Sequence, residues 1–185
     1  RRKNLYKQYD IDPIKGVLFQ GPPGTGKTHI TRALAGELGW DFIELSPADI
    51  TSALVGEGAK NIKDIFQTAK ENQPCLLFFD EIDSVAVDRT GSTQGTQSEQ
   101  MMLTQLLTEM NKIDEEDVVV IGATNAPEEV DKALLNATRF SEVIEVPLPD
   151  AEARKAILRV HLRDRPILQE DINFERVAEL TEGFS

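Results

Sequence analysis

Residues 21–28 read Gly21-Pro22-Pro23-Gly24-Thr25-Gly26-Lys27-Thr28, which fills every fixed position of the pattern G-x-x-x-x-G-K-[ST]. Glycines at this spacing let successive backbone N–H groups turn inward with no Cβ in the way, so the segment can form a concave nest for phosphate oxygens. Lys27 is then placed to reach the β- and γ-phosphates of a nucleoside triphosphate, and the Thr28 hydroxyl to bind Mg2+. Pro22 and Pro23 stiffen the turn and lower the ordering cost when phosphate arrives. The competing reading is a glycine-rich turn without a ligand. The flanks favour the first: the apolar run Gly16–Gln20 enters the segment as a strand, and Thr28–Leu38 leaves it with Ile30, Ala33, Leu34 and Leu38 spaced as a helical stripe.

Working outward, apolar runs at Val17–Gln20, Asp41–Leu45, Cys75–Phe79, Val118–Ala123 and Val143–Val146 read as strands, most of them too continuous for a sheet with one wet face. Helical patterns at 28–38, 59–70, 98–110 and a short 131–136 fall between them. This alternation predicts an α/β fold, a three-layer sandwich on a five-stranded parallel sheet, with ligands at the carboxyl ends of the strands. The polar stretch Asp88–Ser98 reads as a loop. Beyond Pro147-Leu148-Pro149 the pattern is wholly helical, over 151–163 and 174–180, with Asp150 as N-cap. A boundary is therefore expected near 149, separating an α/β core (1–149) from the start of a helical lid (150–185).

The 185 residues are 40% hydrophobic, enough for one ordinary core. Twenty basic against 32 acidic residues give a net charge of −12, which disfavours binding to duplex nucleic acid without excluding a local basic pore. The single Cys75 lies in an apolar run, so it reads as a buried thiol in a reducing, cytoplasmic setting. No apolar stretch nears the roughly 20 residues needed to cross a bilayer, so the unit is expected to be soluble. Beginning at Arg1 and stopping at Ser185, it is also expected to be part of a longer chain with an incomplete lid.

Leu76–Phe79 leads into Asp80-Glu81, two carboxylates at the end of a buried strand, where they need a cation or water to face. Beside a phosphate loop, Asp80 is a candidate for holding the metal and Glu81 for polarising the attacking water. Alternatively, Asp80, Glu81 and Asp83 cap the turn that follows.

Together with Val118–Asn125, Asp131–Leu135 and Arg139-Phe140, these motifs resemble the AAA ATPase domain, in order, over residues 15–165. The resemblance implies ATP and Mg2+ as ligands, ATP hydrolysis, and assembly with itself into a ring, often a hexamer, that acts as an unfoldase or chaperone on protein substrates. It implies that Asn125 contacts the γ-phosphate and that Arg139 reaches nucleotide held by a neighbouring subunit. It places Leu54-Val55-Gly56 at a substrate-gripping pore loop and His161 near the adenosine; His29, directly after the phosphate loop, is a further candidate contact by its position alone. Each has a plainer reading. Asn125 could serve the turn 124–127, Arg139 could pair with Glu142 or Glu145, and either histidine could be structural. Leu54 stands where the family often has an aromatic, and two further features depart from it: Glu142 stands where a second arginine is common, and Met110–Asp114 lacks an Asp-Gly-Phe element. These departures admit a slow, nucleotide-regulated assembly module as the second reading. A GTPase is disfavoured because no Asn-Lys-x-Asp motif occurs.

Overall fold

The computed structural model describes residues 9, 13–50, 57–85, 97–113, 116–163 and 172–185. Five strands, β1 (Gly16–Gln20), β2 (Asp41–Leu45), β3 (Cys75–Phe79), β4 (Val118–Thr124) and β5 (Glu142–Glu145), pair in the order β2-β3-β4-β1-β5. Every pairing is parallel. The helices are α1 (Lys27–Leu38), α2 (Pro47–Ile50), α3 (Glu57–Glu71), α4 (Gln97–Asn111), α5 (Ala151–Leu162) and α6 (Phe174–Leu180).

Period-two alternation divides the strand residues between two apolar layers. Cys75, Leu77 and Phe79 pack with Ile62 and Phe66 of α3 and Leu106 and Met110 of α4. Leu76 and Phe78 face the other way, with Phe19, Ile121, Ala123 and Ala35 of α1. Phe66 is fully buried and lies 6.1 Å from the Phe79 ring. Removing such an aromatic costs about 3–5 kcal/mol, so this layer fixes the sheet. Cys75 is buried in it, and burial pushes its thiol up to about 11, which leaves it unreactive at neutral pH.

The expectation of continuously buried strands holds in the middle of the sheet and fails at its edges. All five residues of β3 are buried, whereas all four of β5 are exposed. Edge strands have a neighbour on one side only, and β5 answers the exposure with Glu142 and Glu145. It also starts and ends one residue before the expected 143–146. The short helix expected at 131–136 does not form. Leu134 N–H and Leu135 N–H bond back three residues, to Asp131 and Lys132 oxygens, and Phe140 N–H then bonds Leu134 O at 3.1 Å. That last bond folds the segment back on itself, so isolated turns replace a helical ladder. A 3₁₀ turn at Pro127–Glu129 precedes them.

After β5, Asp150 accepts a hydrogen bond from Ala153 N at 2.8 Å and caps α5. Arg154 ties α5 to α6 by donating to Pro149 O (2.8 Å), Ala178 O (2.7 Å) and Thr181 Oγ1 (3.3 Å). A groove of about 490 Å³ between these helices is lined by Arg154, Lys155, Glu175 and their neighbours, none of them in the phosphate-type loop. Among the described residues no helix is long and apolar enough to cross a membrane.

Candidate nucleotide site

Parallel register delivers the chemistry to one edge of the sheet. Gln20 at the end of β1 is opposite Thr124 at the end of β4, and Phe79 at the end of β3 is opposite Gly122. The residues that follow are the glycine loop, Asn125 and Asp80-Glu81, which therefore emerge together.

The loop takes a shape that its glycines allow. Gly21, Gly24 and Gly26 have φ of 149°, 79° and 89°. At Gly21 a Cβ would lie 2.2 Å from Val146 O, so no other residue fits there without moving the end of β5. Gly26 N-caps α1, and Ile30 N bonds Gly26 O at 2.8 Å. The loop thus feeds directly into a helix whose first N–H groups and positive dipole end favour an anion.

Lys27 is buried at 7% exposure, and its ammonium donates to Gly21 O (2.7 Å), Pro22 O (2.9 Å) and Asn125 Oδ1 (2.7 Å). Burial lowers its pKa, while the charges of Asp80 and Asp83 oppose that shift. An ammonium only donates, so the carbonyl end of the Asn125 amide must face it and the NH2 end turns away. Asn125 is thereby joined to the loop across 98 residues of chain. Thr28 Oγ1 donates to Asp80 Oδ2 at 3.3 Å, setting a hydroxyl and a carboxylate oxygen side by side. Two hard oxygen donors beside a phosphate nest suit Mg2+, which takes few protein ligands and completes its shell with phosphate and water. The donor set therefore fits Mg·ATP.

Glu81 is exposed at this edge with φ of 49°, the left-handed region that non-glycine residues seldom occupy. Its own N–H is held by Asp80 Oδ1 at 3.1 Å, and Ser84 N bonds Glu81 O at 2.9 Å. The caps considered for the carboxylates account for only part of this: Glu81 precedes the 3₁₀ turn Ile82–Ser84 without a side-chain capping bond. Asp83, considered above only as a cap, and Thr124, with no assigned role, join the cluster. Thr124 Oγ1 donates to Asp83 Oδ1 at 2.6 Å and accepts from Ala126 N at 3.0 Å. Their only sequence signal was position: Asp83 three residues after Asp80, and Thr124 directly before Asn125.

Arg139 lies at the other end of the sheet. A Cβ on Gly16, the first residue of β1, would meet Arg139 O at 2.3 Å, whereas the loop follows the last residue of β1. Five strand residues span about 16 Å, which takes this chain's own loop out of the arginine's reach. Arg139 Nη1 donates to Ala133 O, its Nε is buried with no acceptor, and among the described residues no ion pair joins it to Glu142 or Glu145. His29 and His161 are both exposed, and no hydrogen bond of the described residues connects either to the Lys27–Asn125 cluster. The expected pore loop Leu54-Val55-Gly56 and most of the 88–98 loop lie outside the described residues.

Residues 17–148 match the family model described as ATPase family associated with various cellular activities (AAA). The chain is 44% identical over 185 residues to a proteasome-activating nucleotidase of Methanocaldococcus jannaschii, covering 99% of this chain and 43% of that protein. It is 44% identical over 182 residues to a cell division cycle protein 48 homolog of Archaeoglobus fulgidus, covering 98% of this chain and 25% of that one. It is 45% identical over 187 residues to ATP-dependent zinc metalloprotease FtsH 1 of Methylacidiphilum infernorum, covering 100% and 29%. The chain thus spans less than half the length of these curated relatives. With the glycine loop, the acidic strand end and Asn125 meeting at one edge of a parallel sheet, and the family model covering most of the sequence, the chain belongs to the AAA family of ATPases.

Proposed function

We propose that this chain binds Mg·ATP at the Lys27–Asn125 edge and hydrolyses it with help from Arg139 of an adjacent copy, in a ring that remodels protein substrates. The observation that carries the binding reading is the convergence of Lys27, Thr28, Asp80 and Asn125 from three strand ends within hydrogen-bond distance. Phosphate oxygens would replace Gly21 O and Pro22 O as acceptors for Lys27, and the amides of 21–28 would face the same anion. Thr28 and Asp80 would hold Mg2+, which supplies charge neutralisation at the phosphates when bound. Glu81 would take a proton from the attacking water at its carboxylate, while the Asn125 NH2 orients that water or the γ-phosphate without adding charge.

The distance between Arg139 and the loop supports a site completed by a second copy, because that arginine serves a nucleotide only across an interface. An arginine in that role is worth about 10³–10⁵ in rate. Protein substrates are proposed from the relatives whose names refer to the proteasome and to proteolysis, with Leu54-Val55-Gly56 as the gripping loop and residues from 150 as the start of a lid. A ring of six, contacts from His29 and His161 to the nucleotide, and a reducing compartment belong to the same proposal.

One observation favours the slower assembly module as a second reading: Arg139 is folded back on Ala133, and the exposed edge strand β5 opens with Glu142. Turnover per chain measured against protein concentration separates the two. A steep rise with concentration is expected for the motor, and a flat, slow rate where rings are present would favour the module.

A further inference from the structure

Three separate segments of the site meet at residues 124–126. Thr124 O accepts from Gly21 N at 3.3 Å and holds the start of the glycine loop. Thr124 Oγ1 donates to Asp83 Oδ1 at 2.6 Å, a short bond strengthened by the carboxylate's charge. The same oxygen accepts from Ala126 N at 3.0 Å, so the backbone on both sides of Asn125 is fixed by one hydroxyl. Thr124 is 1% exposed, and a side chain that both donates and accepts is required there; valine has its shape and neither capacity.

Asp83 in turn belongs to the turn that bears Glu81. That turn runs from Asp80 through Ser84, is closed by the Ser84 N to Glu81 O bond, and keeps Glu81 in the left-handed region. A non-glycine residue in that region is strained and persists only where its surroundings over-determine it. Asp83, two residues on and tied to the neighbouring strand, supplies that restraint.

We propose that Asp83 and Thr124 form a positioning brace that holds Glu81 and Asn125 in fixed relation, and so sets the rate of hydrolysis without touching nucleotide. The inference rests on the reading of Glu81 and Asn125 given above. A shift of about 1 Å in a reacting group lowers rate by about 100-fold, and the brace links the two elements whose separation matters most. Thr124 and Asp83 are positioning residues; Thr124→Val keeps the backbone oxygen that holds Gly21 N and every charge around Lys27, so ATP binding is spared in that variant, whereas changing Asp83 also removes a charge that supports protonated Lys27.

The test measures kcat, KM and ATP affinity on the full-length protein with Mg2+. Thr124→Val is expected to lower kcat by about 10- to 100-fold with ATP affinity unchanged, and Thr124→Ser to recover the wild-type rate. Asp83→Ala should lower kcat by no more than Thr124→Val, which also loses the bond from Ala126 N, and the double variant should lose no more than Thr124→Val alone, because the Asp83–Thr124 link is already gone in it. An unaltered kcat in Thr124→Val, a Thr124→Ser as slow as the valine variant, or affinity and kcat falling in parallel would overturn the brace. If Thr124→Val does not fold, Asp83→Asn, which keeps the acceptor oxygen and loses the charge, carries the test: a several-fold lower kcat, exceeding any change in affinity, supports the brace, and an unchanged kcat overturns it. Glu81→Gln run alongside separates the two claims. Wild-type turnover in that variant removes the base on which the brace rests, whereas an inactive Glu81→Gln beside a fully active Thr124→Val removes the brace alone.

Discussion

Lys27 and Arg139 are the two cations of the proposed shared site; they lie at opposite ends of the sheet, and the chain treats them differently. Lys27, at the carboxyl end of the sheet, has an acceptor for each of its three protons: Gly21 O, Pro22 O and Asn125 Oδ1. Arg139, beside the amino end of β1, leans on one carbonyl of its own loop and keeps its Nε buried without an acceptor. An unmade hydrogen bond on a buried donor costs about 1–3 kcal/mol. The loop side is therefore organised within one chain, and the arginine side carries a donor set that a neighbour's anion could use. In the proposed arrangement catalysis depends on assembly, since neither half holds both cations.

The sharpest way to break the comparison is to remove Arg139. Arg139→Ala should lower turnover of the assembled protein by about 10³–10⁵ and leave ATP affinity of the isolated chain unchanged; an equal loss in monomers would place the arginine in its own chain's site. Next is Glu81→Gln, for which turnover should fall by roughly 10²–10⁴ while ATP, followed by calorimetry, still binds. Gly21→Ala sharpens the other half. The Cβ has 2.2 Å to Val146 O and φ of 149°, so a thermal unfolding midpoint lowered by the equivalent of about 1–3 kcal/mol is expected, together with weaker ATP binding. The smallest effect is on the helical segment, where Asp150→Ala removes the bond to Ala153 N and should cost about 1 kcal/mol in denaturant unfolding with the rate untouched.

Legibility in the sequence followed how local each cause is. The loop, β3 and the Asp150 cap were readable because glycine geometry, a continuous apolar run and a capping side chain act within a few residues. The sheet order β2-β3-β4-β1-β5 was not, since period-two and period-3.6 patterns say which face is buried but not which strand is the neighbour. For the same reason the exposed edge of β5 was missed: Val143-Ile144 reads as core until its position beside β1 alone is known. The segment 131–136 has helix-forming Ala133, Leu134 and Leu135, but the Phe140 N to Leu134 O bond and the burial of Leu134 and Phe140 override that propensity. At the site, motif residues Lys27, Thr28, Asp80 and Asn125 come together as the pattern suggests. The link through Asp83 and Thr124 had no independent signal, because a side-chain pair 41 residues apart exists only once the strands are aligned.

The most direct measurement mixes two impaired chains. Arg139→Ala keeps the loop side and Glu81→Gln keeps the arginine side, so rings containing both have some sites with an intact loop facing an intact arginine. Turnover of the mixture well above the sum of the two separate preparations is the expected result. A mixture no faster than that sum, at concentrations where mixed rings are seen to form, would contradict a site shared between subunits.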